Sequence, residues 1–237
     1  MFFLKKIFYL KNKKFIQDAS VLQLGSFFST GLSFLASIIY ARVLGIEGYA
    51  SYALIFAFVS LFGIFMNVGT NETAVTLLAE AYAKNNKEKI KDILTYYLKI
   101  TFLFALIVGL IIIIFAPFLT SRFYNSQEIG QLARVIIISN IIQIFFFMYT
   151  IVLQIMRKIR HLTIIENLNK IFIVILPAGL VWAGFGLRGL VFGYLIAALS
   201  FAIFSILAYR RLRLKNLILP SWKEIFSNLR KVKLAYY

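Results

Sequence analysis

Between Thr95 and Leu119 the chain runs for 25 residues with a single charge, Lys99. A helix rises ~1.5 Å per residue and a bilayer's hydrocarbon layer is about 30 Å thick, so about 20 apolar residues cross it. This stretch sets the solvent for which the fold is built. Five more apolar runs satisfy the same rule, at about 19–40, 48–69, 132–153, 163–183 and 188–208. Composition agrees with them: 61% of residues are hydrophobic and 15% are charged, too few to cover a water-soluble surface. The expected fold is an all-α integral membrane protein, a bundle of six transmembrane helices.

The flanks of the runs organise the rest. Residues 1–18 mix apolar side chains with Lys5, Lys6, Lys11, Lys13 and Lys14, as in a basic amphipathic helix lying in the cytoplasmic interface. Residues 19–208 form the transmembrane lobe, with a polar, helix-compatible stretch at 71–92. Residues 209–237 form a basic cytoplasmic tail. The first apolar run is long enough to span, so it is expected to stay as an anchor.

The formal net charge of +17 would suggest nucleic acid in a soluble chain. Here the apolar runs confine the charges to loops, where they report topology and headgroup contacts; no nucleic-acid partner is expected. With the N-terminus inside, cytoplasmic segments hold twenty Lys and Arg residues. The opposite side holds four: Arg42, Arg122, Arg134 and Arg188. This asymmetry predicts an even number of crossings with both termini in the cytoplasm.

Little in the chain suggests a reaction. It has no cysteine, and its one histidine, His161, sits in a basic cluster with Arg157, Lys158 and Arg160. Disulfides, thiolate metal sites and Cys nucleophiles are excluded. Gly184-Phe185-Gly186-Leu187-Arg188-Gly189 matches G-x-G-x-x-G, but between apolar helices it lacks the strand–turn–helix setting of a phosphate loop. No catalytic residue, metal site or cofactor is predicted, and the chain is not expected to be an enzyme. A membrane glycan polymerase should also show a large extracytoplasmic loop.

The spans themselves carry the candidates. In the first, Gln23, Ser26, Thr30, Ser33 and Ser37 recur at spacings of 3 and 4, one stripe on one face. Such a stripe serves either close helix packing or the wall of a hydrated cavity. In the fifth, Glu166, Asn169, Lys170 and Pro177 fall near one face, with Asn167 at its edge. A charge at the membrane centre costs about 2.5–3.5 kcal/mol on insertion scales. Glu166 and Lys170 are therefore either an i,i+4 pair with Lys170 snorkelling, or functional groups. Weaker candidates are Asn67 and Glu72 at the end of the second span, Asn140 with Gln143 in the fourth, and Arg42 and Arg134 at outer helix ends.

Several short segments carry a resemblance. Ala41-Arg42-Val43-Leu44-Gly45-Ile46-Glu47-Gly48-Tyr49, followed by Tyr52-Ala53-Leu54, resembles the segment after the first helix of the polysaccharide transporter (Wzx-type oligosaccharide flippase) family. The likeness continues in Gly69 to Lys84, in the basic turn Gln154 to Lys158, and in Gly184 to Leu190. That family belongs to the MOP superfamily, with the MATE multidrug exporters and the lipid II flippase MurJ. The resemblance implies one six-helix lobe of a two-lobed transporter.

The same resemblance implies a function: moving an undecaprenyl-pyrophosphate-linked glycan across the cytoplasmic (inner) membrane by alternating access. Membrane lipid would be a partner, with a second copy or a second-lobe chain completing the machine. It implies anionic contacts at Lys170 and Arg42, with Arg134 behind them. It also implies ion coupling at Glu166 or Glu72, and a sugar path lined by Gln23, Ser26, Thr30, Ser33, Asn67 and Asn140. MurJ-like proteins carry an Arg-Asp pair where this chain has Ala36-Ser37, which favours the broader flippase group over lipid II. A MATE-like exporter of small cationic drugs and a non-transporting scaffold or degenerate half-transporter are the alternatives.

Because the chain has no cysteine, any single introduced cysteine is a unique label. Asn85→Cys and His161→Cys should react with a membrane-impermeant maleimide only after cells are permeabilised. Asn125→Cys and Arg188→Cys should react in intact cells. The reverse pattern would invert the predicted orientation.

Overall fold

A computed structural model describes the backbone of residues 2–66 and 70–215, and side chains within 16–212 apart from 18, 62 and 64–72. The described residues form helices and no strand. The helices are α1 (Phe2–Met66), α2 (Thr70–Ala83), α3 (Lys87–Tyr124), α4 (Gln127–Ile155), α5 (Ile159–Leu180) and α6 (Gly186–Lys215). A short, wide π-helical turn, Val181–Phe185, joins the last two. Four stretches are long and apolar enough to cross a membrane: Ala19–Leu61, Lys87–Tyr124, Gln127–Ile155 and Ile159–Leu212. The chain is a multi-pass membrane protein.

Two of those stretches, at 43 and 54 residues, exceed what one straight crossing needs. Each is bent back on itself. In α1 the break is Gly45, at φ 68°, ψ −175°. Residues twelve apart on a straight helix lie about 18 Å apart. Yet the Ser37 and Tyr49 hydroxyls meet at 2.9 Å, and the Tyr40 and Tyr52 rings at 5.4 Å. The two limbs of α1 therefore form a hairpin. A positive φ costs glycine nothing, which is why the turn falls there. The other hairpin turns at Gly184 and Gly186, both at positive φ, which accounts for the first two glycines of the G-x-G-x-x-G match.

Shorter connections are closed by side chains. Asn125, left-handed at φ 52°, ends α3, and the Ser126 hydroxyl accepts from the Ile129 N–H to open α4. Asn86 caps α3 by accepting from the Lys89 N–H. The polar run Lys84–Lys89 thus contains a turn and a helix start, and α3 begins well ahead of the apolar run. Just before that turn, Lys84 donates to Glu80 at 2.6 Å, which holds the Glu80 carboxyl below its ordinary range.

The bundle has two stacked cores. One gathers Leu78 and Ala81 of α2 with Leu94 of α3, Met148 and Leu153 of α4, Leu162 of α5 and Tyr209 of α6. The other gathers Ala36, Tyr40 and Ile55 of α1 with Ala116, Ala133, Val181 and Leu190. The basic turns 84–91 and 157–160, with Arg210 and Arg211, lie at the first core's end. The glycine turns and Arg42, Arg122 and Arg188 lie at the second's, where Arg188 reaches Glu128 at 3.3 Å.

Lipid tails are as apolar as leucine, so helices in a bilayer associate by close van der Waals packing and small residues mark the contacts. Gly130 of α4 lies against the α3 backbone: a Cβ there would come within 2.5 Å of Pro117 Cα. Gly193 of α6 meets Pro177 Cα of α5 at the same distance. Gly31 has open space around it. Gly130→Ala and Gly193→Ala should each destabilise the lobe by about 1–3 kcal/mol through overpacking, read as a lowered Tm in detergent. Gly31→Ala should not lower the Tm.

Candidate functional site

The first limb of α1 packs along α5 through a narrow seam. Gly25 faces Thr163 and Asn167, and a Cβ at residue 25 would come within 2.5 Å of the Thr163 methyl. One turn on, the Ser29 hydroxyl donates to Asn167 Oδ1 at 2.9 Å, and Asn167 Nδ2 donates to the Thr163 carbonyl at 2.8 Å. Residues 25 and 29 meet 163 and 167 in the same order, so the two helices run in the same direction. The register pairs residue n of α1 with about n+138 of α5.

At about 100° per residue, the seam divides the surface into two flanks. On one lie Val21 and Phe28 of α1 with Arg160, Ile164, Leu168 and Ile171 of α5, lining an open, chiefly apolar groove of about 490 Å³. To the other turn Ser26, Thr30, Ser33 and Ser37 of α1, together with Glu166 and Lys170 of α5. The structure thus brings the polar stripe of the first span and the charged pair of the fifth to one side of one seam.

Their exposure is graded. Gln23, Ser26 and Thr30 are exposed, as is Glu166, while Ser33, Ser37 and Lys170 are half-buried. Thr30 donates back to the Ser26 carbonyl and Ser33 to the Ser29 carbonyl, so both hydroxyls are satisfied within the helix. The face that α1 buries is instead Gly25, Ser29, Leu32, Ala36 and Tyr40. Packing is thus centred on a neighbouring face, and the stripe joins it where the Ser37 hydroxyl meets Tyr49. Among the described residues Glu166 and Lys170 form no ion pair.

The remaining candidates are dispersed. By the seam's register Lys170 is level with Leu32, and Arg42, exposed near the Gly45 turn, stands ten residues further along, roughly 15 Å at ~1.5 Å per residue. Asn140 is half-buried in α4. Asn67 and the Glu72 side chain lie outside the described residues.

Arg134 is engaged with backbone. Its Nε donates to the Ile113 carbonyl of α3 at 2.6 Å, and an Nη donates to the Ile114 carbonyl at 3.4 Å. Ile113 O is the acceptor that an N–H at position 117 would use, and Pro117 has none. The guanidinium fills the gap in the helix ladder.

The Asn169 Oδ1, on the fifth-span face already singled out with Glu166 and Lys170, is buried and has no hydrogen-bond partner among the described residues, and neither has the buried Ser205 hydroxyl, to which no feature of the sequence pointed. Tyr40 stands in an aromatic chain that continues through Tyr52 and Phe56 to Tyr194, with centroids 4.8–5.4 Å apart. Gly25 and Ser29 did carry a signal, the small-xxx-small spacing that lets helix backbones approach.

A family model described as "Polysaccharide biosynthesis protein" matches residues 15–231. The chain belongs to the polysaccharide biosynthesis protein family. No curated protein matches it. Among solved structures, this family member resembles a multidrug resistance MATE family transporter of the MOP superfamily. In the inward-facing conformation the TM-score is 0.69 at 21% identity, covering 85% of this chain and 47% of that one. In the outward-facing conformation the TM-score is 0.67 at 22% identity, covering 82% and 44%. A MATE structure in a bent conformation gives 0.68 at 22% identity, covering 85% and 44%. The chain spans about half the length of these structures, and the likeness is one of fold.

In this member of the family Arg134 should behave as a backbone partner. Arg134→Leu should cost about 1–3 kcal/mol by orphaning a carbonyl, read by thermal unfolding in detergent. In a Pro117→Ala background, where an N–H is restored, the same change should cost less than half as much. Equal losses in both backgrounds would refute the role.

Proposed function

We propose that the chain is one lobe of a transporter that moves lipid-linked oligosaccharide across the cytoplasmic membrane by alternating access. The observation that carries this reading is the conjunction of a polysaccharide biosynthesis family match over most of the chain with a fold like half of a MATE transporter. In this reading each bent stretch is two crossings, so the lobe has six and its ends share a side. The twenty-to-four bias of Lys and Arg supports a cytoplasmic side for those ends.

The polar flank of the α1–α5 seam is the face that would line the central cavity. Ser26, Thr30 and Ser33 offer hydroxyl oxygens to sugars, with Gln23 and Asn140 further round the path. A pyrophosphate buried without a counter-charge is prohibitive, so Lys170 is the first cationic station and Arg42 a second, about 15 Å on. Glu166 beside Lys170 is placed to couple a proton or cation, as intramembrane carboxylates commonly do. Glu72 and Asn67 keep the roles expected of them at the end of the second span. Arg134 acts behind the others, through the α3 backbone it holds.

The MATE likeness also favours a second reading, export of small cationic molecules. Such cargo needs carboxylates, and Glu166 is the one on the polar flank. The two readings separate in proteoliposomes carrying fluorescent undecaprenyl-pyrophosphate oligosaccharide. The proposal expects flipping by the self-associated or partnered chain, reduced at least tenfold by Lys170→Ala. Normal flipping in the Lys170→Ala, Arg42→Ala double variant would sink the anionic contact. Drug efflux without flipping would move the assignment to the second reading.

A further inference from the structure

We infer that the groove on the apolar flank of the α1–α5 seam is a binding site for one anionic membrane lipid. Its phosphate would rest on Arg160, and one chain would lie along Ile164, Leu168 and Ile171. This site is separate from the polar flank and does not depend on what the protein transports.

The groove's polar atoms are already engaged. Asn167 and Thr163 line it, but the Asn167 amide is committed to the Ser29 hydroxyl and the Thr163 carbonyl. The Thr163 hydroxyl donates to the Ile159 carbonyl at 3.1 Å. The floor therefore offers carbon to an occupant, and Ile164 is 58% exposed on it.

Among the described residues the one charge in the lining is Arg160, at the groove's end. It is exposed, it makes no hydrogen bond or ion pair among the described residues, and it sits in the basic turn with Arg157 and Lys158. From Arg160 to Ile171 is eleven residues of helix, about 16 Å, which is half of the ~30 Å hydrocarbon layer. The groove is thus as deep as one leaflet, with a cation at the headgroup end and hydrocarbon below. Its volume lies within the usual range for small-molecule sites, about 300–1,000 Å³. Charge at the mouth selects an anionic headgroup over a zwitterionic one, and guanidinium groups pair with phosphate in a bidentate manner.

The test places a fluorophore in the groove. With Trp182 and Trp222 both changed to Phe, Ile164→Trp supplies a single reporter. The full chain is reconstituted in vesicles containing brominated phosphatidylglycerol or brominated phosphatidylcholine. Near a membrane surface one basic residue is worth about a fivefold preference for anionic lipid. The anionic lipid should therefore bind at the reporter about fivefold more strongly, and Arg160→Gln should abolish the preference. A reporter from Ile107→Trp, on the exposed face of α3, should show none.

A ratio near one at the groove would overturn the proposal. So would a preference that survives Arg160→Gln, or an equal preference at the α3 reporter. Absence of quenching by either lipid would mean that protein, such as a second copy of the chain, covers the groove, and would also overturn it. Leu168→Trp gives the same reading should Ile164→Trp fail to fold.

Discussion

Inside hydrocarbon no water is available to take up a backbone N–H or C=O, and each group left unpaired costs several kcal/mol. The rest of the structure depends on this constraint. It explains why the described chain is helical, and why its interruptions fall at Gly45 and at Gly184 to Gly186, in the ends of hairpins. It also explains how one proline break within a span is closed. Pro117 withdraws the N–H that Ile113 O would use, and Arg134 reaches across from α4 to replace it. Gly130 allows that approach, because any side chain there would strike the α3 backbone.

A second consequence concerns how helices associate when lipid is as good a neighbour as another helix. The α1–α5 seam is made by Gly25, Ser29, Thr163 and Asn167, small or hydrogen-bonding side chains that gain from proximity to one another rather than from leaving water. One narrow contact leaves both flanks available. One flank is carbon with a guanidinium at its end. The other collects hydroxyls, a carboxylate and an ammonium. Two chemically distinct surfaces therefore lie on either side of one seam.

Much of this was legible in the residues. The apolar runs fall largely within the four stretches long enough to cross a membrane, because the hydrophobic length of a bilayer is a fixed ruler, and Gly45, Gly184 and Gly186 stand at the turns. The ends of the helices were less legible. Nothing apolar signals the helical turns that project into the headgroups, so α3 starts at Lys87 rather than near Thr95, and α6 continues to Lys215. The polar stripe of the first span was visible as a periodicity, but periodicity does not say which face meets a neighbour. The buried face proved to be Gly25, Ser29 and Ala36, about a third of a turn away. Arg134 looked like a cation awaiting an anion because the carbonyl it satisfies belongs to another helix. That Glu166 and Lys170 share a flank with Ser26 and Thr30 required the seam's register, which only tertiary contacts supply.

The central claim is that the seam separates a water-lined flank from a lipid-lined one. Thr30 and Leu168 are level with each other by the seam's register and stand on opposite flanks, so depth in the bilayer cannot distinguish them. Nitroxide labels introduced through Thr30→Cys and Leu168→Cys, in the otherwise cysteine-free chain, report collision with a water-soluble nickel complex and with oxygen. The account predicts that the label at position 30 collides preferentially with nickel and the label at 168 with oxygen. Equal lipid-like accessibility at both positions, or the reverse order, would contradict it.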